Sequence, residues 1–427
     1  MNALRRATRL ALLPRSSPAV VPRSRASNAL LSRRLASSKN TPKPASEGVH
    51  VPREKVTKEM LISEFKEIVK LIVGGTVAIV GLATTSGYVI EKTKQWNPMP
   101  APGMLLDIPD GDGSTVTVHV QKKGTGPLTV VFDGGVGETS FDWEKVMEQV
   151  SQFATVVSID RPGLGFSTPG ALPRTSVQIA NEYAQVLQKL NVLDQVILVG
   201  HGAGGYNMRQ LAEDIENPNL AVNYTVEGLV LVDALQENLR EELERVSPAV
   251  KSALKTMDDN GKTVLALSRF GIIRMINSIQ RDKFVKRYSP IALPFIEYFL
   301  PSPAHRQGAL WENQGIPLTE ERLRNEPRAS GFEFPCVVLS HGKPDMFDGM
   351  KADANIDLDT IVALERKWQA AQQRLVDEVS VLPSVHIVVP DVGHNIQHEE
   401  PDEITRVVRA LVNEAQDKGS GEGLKSL

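Results

Sequence analysis

Three of the eight histidines in this 427-residue chain lie at or just beyond the ends of short apolar runs, beside glycine and carboxylate: Gly200-His201-Gly202-Ala203-Gly204-Gly205, Ser340-His341-Gly342-Lys343-Pro344-Asp345 and Gly393-His394. Histidine titrates near neutral pH and so moves protons, a carboxylate can orient it, and glycine lets backbone amides come close to a ligand. Two further runs end in Asp133-Gly134-Gly135-Val136-Gly137 and Asp160-Arg161-Pro162-Gly163. General acid–base chemistry at strand ends is therefore the first expectation. A metal site built from His341, His394, His398 and Asp345 is not expected, because His394 and His398 fall at a strand-to-helix junction and make no compact ligand pair on one helix. No cofactor is indicated either. The single cysteine, Cys336, sits in the apolar run Phe334-Pro-Cys-Val-Val-Leu339 and reads as a packed strand residue.

These residues need elements to position them. From about Leu105 onward, β-rich runs at 115–120, 128–132, 155–159, 196–199, 229–232, 336–339 and 385–389 alternate with amphipathic helical stretches. That pattern predicts an α/β fold, a mainly parallel sheet with helices on both faces. The last five runs lead into glycine, aspartate or histidine, just outside the strand carboxyl ends where open α/β sheets bind ligands.

In this order the motifs resemble those of the α/β-hydrolase family, over roughly residues 105–415. Asp133-Gly-Gly-Val-Gly-Glu-Thr-Ser-Phe-Asp-Trp143 is similar to the first glycine-rich loop, although the family carries His-Gly there. Asp160-Arg-Pro-Gly-Leu-Gly-Phe-Ser167 resembles the turn after the next strand, and Val199-Gly-His-Gly-Ala-Gly-Gly205 occupies the place of the nucleophile elbow. Ser340 to Asp345 resembles the acid loop, and Gly393-His394 the histidine loop. The resemblance implies that His394 is the base and Asp345 the acid that orients it. Asp233, ending the run beside the elbow, is the alternative acid. Gly134, Gly135, Val136 and Ala203 are implied as binding residues around an oxyanion position.

The elbow departs from the family at one atom group. Its central position is Gly202, which offers no hydroxyl, thiol or carboxylate, so an acyl-enzyme cannot form there. Ser140, Ser167 and Ser340 lie in neighbouring loops but read as turn-stabilising hydroxyls, and His201 reads as a packing neighbour. The expectation is a pseudo-hydrolase, with a hydrolase that uses His394 and Asp345 on an activated water or a displaced nucleophile as the alternative.

Between Asp233 and Phe334 lie about 100 residues of helical pattern, taken as a lid. Helices are expected at 248–257, 264–279 and 291–300, with Phe270, Ile273, Met275, Ile276, Phe295 and Phe299 as an apolar roof suited to a small apolar ligand or ester. A long amphipathic helix is expected over 358–379.

The N-terminal region points to an organelle. Residues 1–46 hold 10 Lys/Arg and no acid, the composition of a transit peptide, and leave 38 basic against 51 acidic residues downstream, a balance that argues against nucleic acid as a partner for the rest. Leu71 to Ile90 is 20 uncharged residues, long enough to cross a bilayer. The expected organisation is a transit peptide at 1–46, a juxtamembrane segment at 47–70, a single-pass helix at 71–90, a linker at 91–104, the core at 105–235 and 334–415, the lid at 236–333 and a frayed tail at 416–427. The mitochondrial inner membrane is the expected location, with a plastid membrane as the alternative. Cations before the span outnumber those after it, which favours an N-terminus on the matrix side. A membrane complex is a possible partner, and Ala83 and Gly87 offer a small-residue face to another helix.

Overall fold

Eight strands make one sheet in the order β1-β2-β4-β3-β5-β6-β7-β8. We describe a computed structural model of the chain over residues 57–427, apart from 112, 193–194, 217–223, 329, 353–354, 383 and 418–426. The transit-peptide reading of 1–46 and most of the tail lie outside the described residues. The strands are β1 Met104–Pro109, β2 Thr115–Lys123, β3 Thr129–Asp133, β4 Thr155–Asp160, β5 Gln195–His201, β6 Thr225–Val232, β7 Cys336–His341 and β8 Val385–Val389. β1 pairs antiparallel with β2 and β2 with β4, and every other pairing is parallel. The seven expected runs are β2 to β8. β1 is an additional edge strand.

The helices are α1 Lys58–Trp96, α2 Glu144–Val150, α3 Ser176–Lys189, α4 Gly204–Glu216, α5 Leu239–Glu244, α6 Pro248–Ser268, α7 Ile272–Ile279, α8 Arg281–Arg287, α9 Leu293–Phe299, α10 Pro303–Asn325, α11 Leu358–Val379, α12 Ile396–Glu399 and α13 Pro401–Gln416. Strands buried on both faces carry near-continuous apolar runs. In β3 and β5, Val131 and Leu198 pack with α3, α4 and α11. Val130, Phe132, Ile197 and Val199 turn to the opposite face and pack with α2 and α13.

The lid comprises α5 to α10. The helix expected over 264–279 is broken at Gly271, whose φ of +68° ends one helix and starts the next. α10 was not foreseen, because Gly308, Gly315 and Pro317 inside it look like breakers. The two glycines are there for contact: a Cβ on Gly315 would lie 1.9 Å from the carbonyl oxygen of Arg174, and one on Gly308 would lie 2.1 Å from that of Gly163.

The chain divides into two units, Met1–Val69 and Lys70–Leu427. Of the first, the described part is 57–69, which contains the opening turns of α1. α1 is long and apolar enough to cross a membrane, with a mean hydropathy of 1.9 over a window that is not buried in the protein. Hydroxyls of Thr76, Thr84, Thr85 and Thr93 return to carbonyls four residues back, so they need no water.

The expected linker at 91–104 begins later, since the helix continues to Trp96. This last stretch is seated on the lid. A Cβ on Gly87 would fall 2.0 Å from the carbonyl oxygen of Phe270. The buried Glu91 carboxylate pairs with the Arg274 guanidinium through bonds of 2.6 and 3.1 Å. Gly87, expected to meet another protein's helix, packs against the chain's own Gly271.

Candidate functional site

The sheet delivers the turn Gly202-Ala203 between the end of β5 and the start of α4. Its flanking Gly204 is needed for close approach, since a Cβ there would lie 2.6 Å from the Asp133 carbonyl oxygen. Gly202 differs. Its φ is +53°, the left-handed turn, yet a Cβ would meet only ordinary contacts, 3.4 Å from Gly135 Cα and 3.8 Å from His394 Nε2. The position thus has the backbone of an elbow and space for a short side chain facing the histidine.

His394 is oriented by Asp233, not by Asp345. His394 Nδ1 and Asp233 Oδ2 are 2.6 Å apart. Asp233 leaves β6 at a φ of +43° and is fully buried, and its carboxylate also accepts from Trp368 Nε1 at 2.8 Å and meets His341 Nδ1 at 2.7 Å. Asp345 pairs instead with Lys343 at 2.5 Å on a partly exposed loop, beside Gly393. The physical reason is reach: the β6 end points its acid under the imidazole ring, whereas the acid loop after β7 turns outward. Burial alone would raise the Asp233 carboxyl, but hydrogen bonds from His341 and His394 hold it well below the usual range.

His341, one of the three strand-end histidines, joins this set through the carboxylate of Asp233. Its ring lies between Asp233 and Glu365, 3.1 Å from the latter. Burial works to lower its pKa, yet hydrogen bonds to the two carboxylates push it up to about 9. The folded chain therefore holds this proton more tightly than the unfolded chain, whose histidine titrates near 6.5. The resulting stability is complete below about pH 6.5 and is lost as pH rises through about 9. We expect the urea midpoint to fall across that window and His341→Gln to flatten the fall; an unchanged slope in the variant contradicts this assignment.

The glycine-rich loop is tied down from below by Arg161. All five guanidinium N–H groups are used: two on Glu312 at 2.6 and 2.9 Å, one on Asp133, and one each on the carbonyls of Gly134 and Gly135 at 2.9 and 2.7 Å. Asp133 also accepts from Tyr183 and Asn207, at 2.9 and 2.7 Å. Counter-charges from Asp133 and Glu312 outweigh burial and keep Arg161 firmly protonated. Of the expected oxyanion residues, Gly135 has its amide bonded to Glu138 at 2.7 Å and Gly134 to Asp133 at 3.0 Å. The amides of Val136 and Ala203 donate to no protein acceptor among the described residues. Next to them is a cavity of about 20 Å³, lined by Val136, Ala203, Tyr206, Arg161, Glu312 and Ile316.

The expected apolar roof is not over this cavity. Phe295 and Phe299 pack with Phe141 and Phe166 in an aromatic cluster, whereas Phe270, Met275 and Ile276 are exposed. α10 supplies the lining, through Glu312 and Ile316. The serines are occupied: Ser140 with Asp160, Ser167 with the Asp160 carbonyl, Ser340 with Gln369 and His386. His201 bonds Glu138 and the carbonyl of His394, steadying the histidine loop. Glu138, Asp142 and His398 come together as a metal site would. Arg287 already places its charge there, 3.4 Å from Glu138 and 3.8 Å from Asp142.

Comparison with known proteins agrees with this fold. Among solved structures, one described as a "putative alpha/beta hydrolase" from Nostoc sp PCC 7120 superposes with a TM-score of 0.51 at 17% identity, covering 73% of this chain and 98% of that one. A "probable hydrolytic enzyme" from Pseudomonas aeruginosa PAO1 gives 0.51 at 16%, covering 74% and 96%. At such identities the likeness is one of fold. Curated relatives match over short stretches. The dihydrolipoyllysine-residue acetyltransferase component of the acetoin cleaving system of Cupriavidus necator is 33% identical over 26% of this chain and 29% of its own length. The 2-(acetamidomethylene)succinate hydrolase of Mesorhizobium japonicum is 31% identical over 27% of this chain and 41% of its own. The chain thus spans well under half the length of these relatives. The sequence profile of the Alpha/beta hydrolase family matches residues 130–407, six of the eight strands together with the lid, and the chain belongs to that family.

Proposed function

We propose that the chain is a membrane-anchored, mitochondrial pseudo-hydrolase of the α/β-hydrolase fold, acting by binding rather than by turnover. One observation carries the reading: a glycine stands at the elbow, 3.8 Å in Cβ terms from a histidine that its acid already orients. The base has no nucleophile to deprotonate. The cavity beside Val136 and Ala203 holds about 20 Å³, room for about one water molecule. α1 supplies the anchor, and the arginine-rich, acid-free composition of 1–46 supports import into a mitochondrion.

Purified full-length chain should not react with a fluorophosphonate probe, and it should hydrolyse a panel of short- to long-chain esters no faster than its His394→Ala variant. Turnover abolished by His394→Ala overturns the reading. It would favour a second one, in which His394 and Asp233 activate a water directly, with the Val136 and Ala203 amides receiving the oxyanion.

A further inference from the structure

Around the seat of α1, the lid carries a surface unlike the rest of the domain. Residues 269–287 hold six cations, Arg269, Arg274, Arg281, Lys283, Lys286 and Arg287, and one acid, Asp282. On α7 the apolar side chains divide between two faces. Ile273 is buried in the lid, whereas Met275, Ile276 and Ile279, at helical spacing, are exposed, Ile279 by 78%. Phe270 just before them is exposed by 49%, and Val285 of α8 is exposed as well. Monomers seldom leave large apolar groups clustered in water, and a short helix with an exposed apolar face rimmed by Lys and Arg has the make-up of an interfacial helix.

The neighbour of this patch identifies its occupant. Phe270 and Gly271 touch Gly87, and Arg274 grips Glu91. The uncharged stretch of α1 ends at Ile90, so the patch begins at the level where that helix leaves the hydrocarbon. We propose that the exposed face of α7, with Phe270, lies in the headgroup layer of the same bilayer and binds anionic phospholipid. A cavity of about 260 Å³ opens there, lined by Lys94, Arg274, Asn277, Ser278 and Arg281 among others, and its donors suit a phosphate. Arg274 and Arg281 are paired with Glu91 and Glu297; Lys94 lies over the Tyr298 ring, 5.2 Å from its centre, and has no carboxylate partner among the described residues. The inference rests on reading α1 as a membrane span.

Cysteine labelling tests both readings separately. The natural Cys336 is buried and its thiol pushed up to about 12 by burial, so it does not compete with an introduced cysteine. Full-length chains carrying Ile279→Cys, Ile79→Cys or, as control on α11, Val362→Cys are labelled with an environment-sensitive fluorophore. They are reconstituted into phosphatidylcholine vesicles with or without phosphatidylglycerol and quenched by doxyl lipids. The label at 279 should be quenched roughly twofold or more by a doxyl group near the headgroups, less without phosphatidylglycerol, with the control unaffected. A label at 79 quenched from the bilayer centre while that at 279 stays aqueous overturns the inference and leaves the anchor standing. Quenching at neither position removes both. A label at 279 that is buried but insensitive to doxyl lipid also overturns it, since a protein then covers the face.

Discussion

Serine introduced at position 202 is expected to make this chain a covalent, ester-cleaving hydrolase. The Cβ of Gly202→Ser would sit 3.8 Å from His394 Nε2, which brings the hydroxyl within reach of the base. The amides of Ala203 and Val136 donate to no protein acceptor among the described residues and are open to an oxyanion. A triad whose parts act together loses about 10⁶-fold on removal of its serine, so even a poorly tuned gain should exceed about 10²-fold over the natural chain. Stoichiometric fluorophosphonate labelling, absent from the natural chain, should accompany it. Both should vanish with His394→Ala and fall steeply with Asp233→Asn, but survive Asp345→Asn. Holding a serine at a φ of +53° costs on the order of 1–3 kcal/mol. A folded Gly202→Ser chain that stays unlabelled would mean that the surrounding groups are not arranged for attack.

The largest stability loss is expected from Arg161→Leu. That substitution strands Asp133 and Glu312, both nearly fully buried, without their counter-charge. Removing one partner of a buried ion pair typically costs about 3–5 kcal/mol, because the other charge stays out of water. Urea unfolding should show that loss, and adding Asp133→Asn with Glu312→Gln should recover most of it, since neutral amides tolerate the same cavity. If the triple variant is no better than the single one, the network matters through shape and not through charge.

Much of this architecture could be read from the residues. β2 to β8 are apolar runs closed within two residues by glycine or a polar residue, and such runs in alternation with helical stretches admit few other folds. β1 escaped because Met-Leu-Leu-Asp-Ile-Pro ends in proline and is a mostly exposed edge strand. α10 escaped because residues that break helices in isolation are tolerated where a carbonyl of another segment fills the place of a side chain, as at Gly308 and Gly315.

The site divides in the same way. Gly202 and His394 are local signals, each set between glycines or at a strand end. The acid is not local: both Asp233 and Asp345 follow the elbow and precede the histidine, so chain order fits either. The choice depends on how β6 ends, where Asp233 turns its carboxylate inward at a φ of +43°. Glu312, which is 151 residues from Arg161, and Glu365 beneath His341 belong to helices whose packing no spacing rule supplies. The apolar roof failed for a related reason. Periodicity marks which lid residues share a face, without saying whether that face turns to the sheet or away from it.

The ion pair between Glu91 and Arg274, together with the Gly87–Gly271 contact, ties the lid to the end of α1. Here α7 is bolted to the end of α1 through a buried, two-bond clasp. With α1 fixed in a bilayer, as proposed, widening of the cleft between α10 and the elbow would be a motion of the sheet, hinged on the segments that enter and leave the lid, with the cap as the mounting plate.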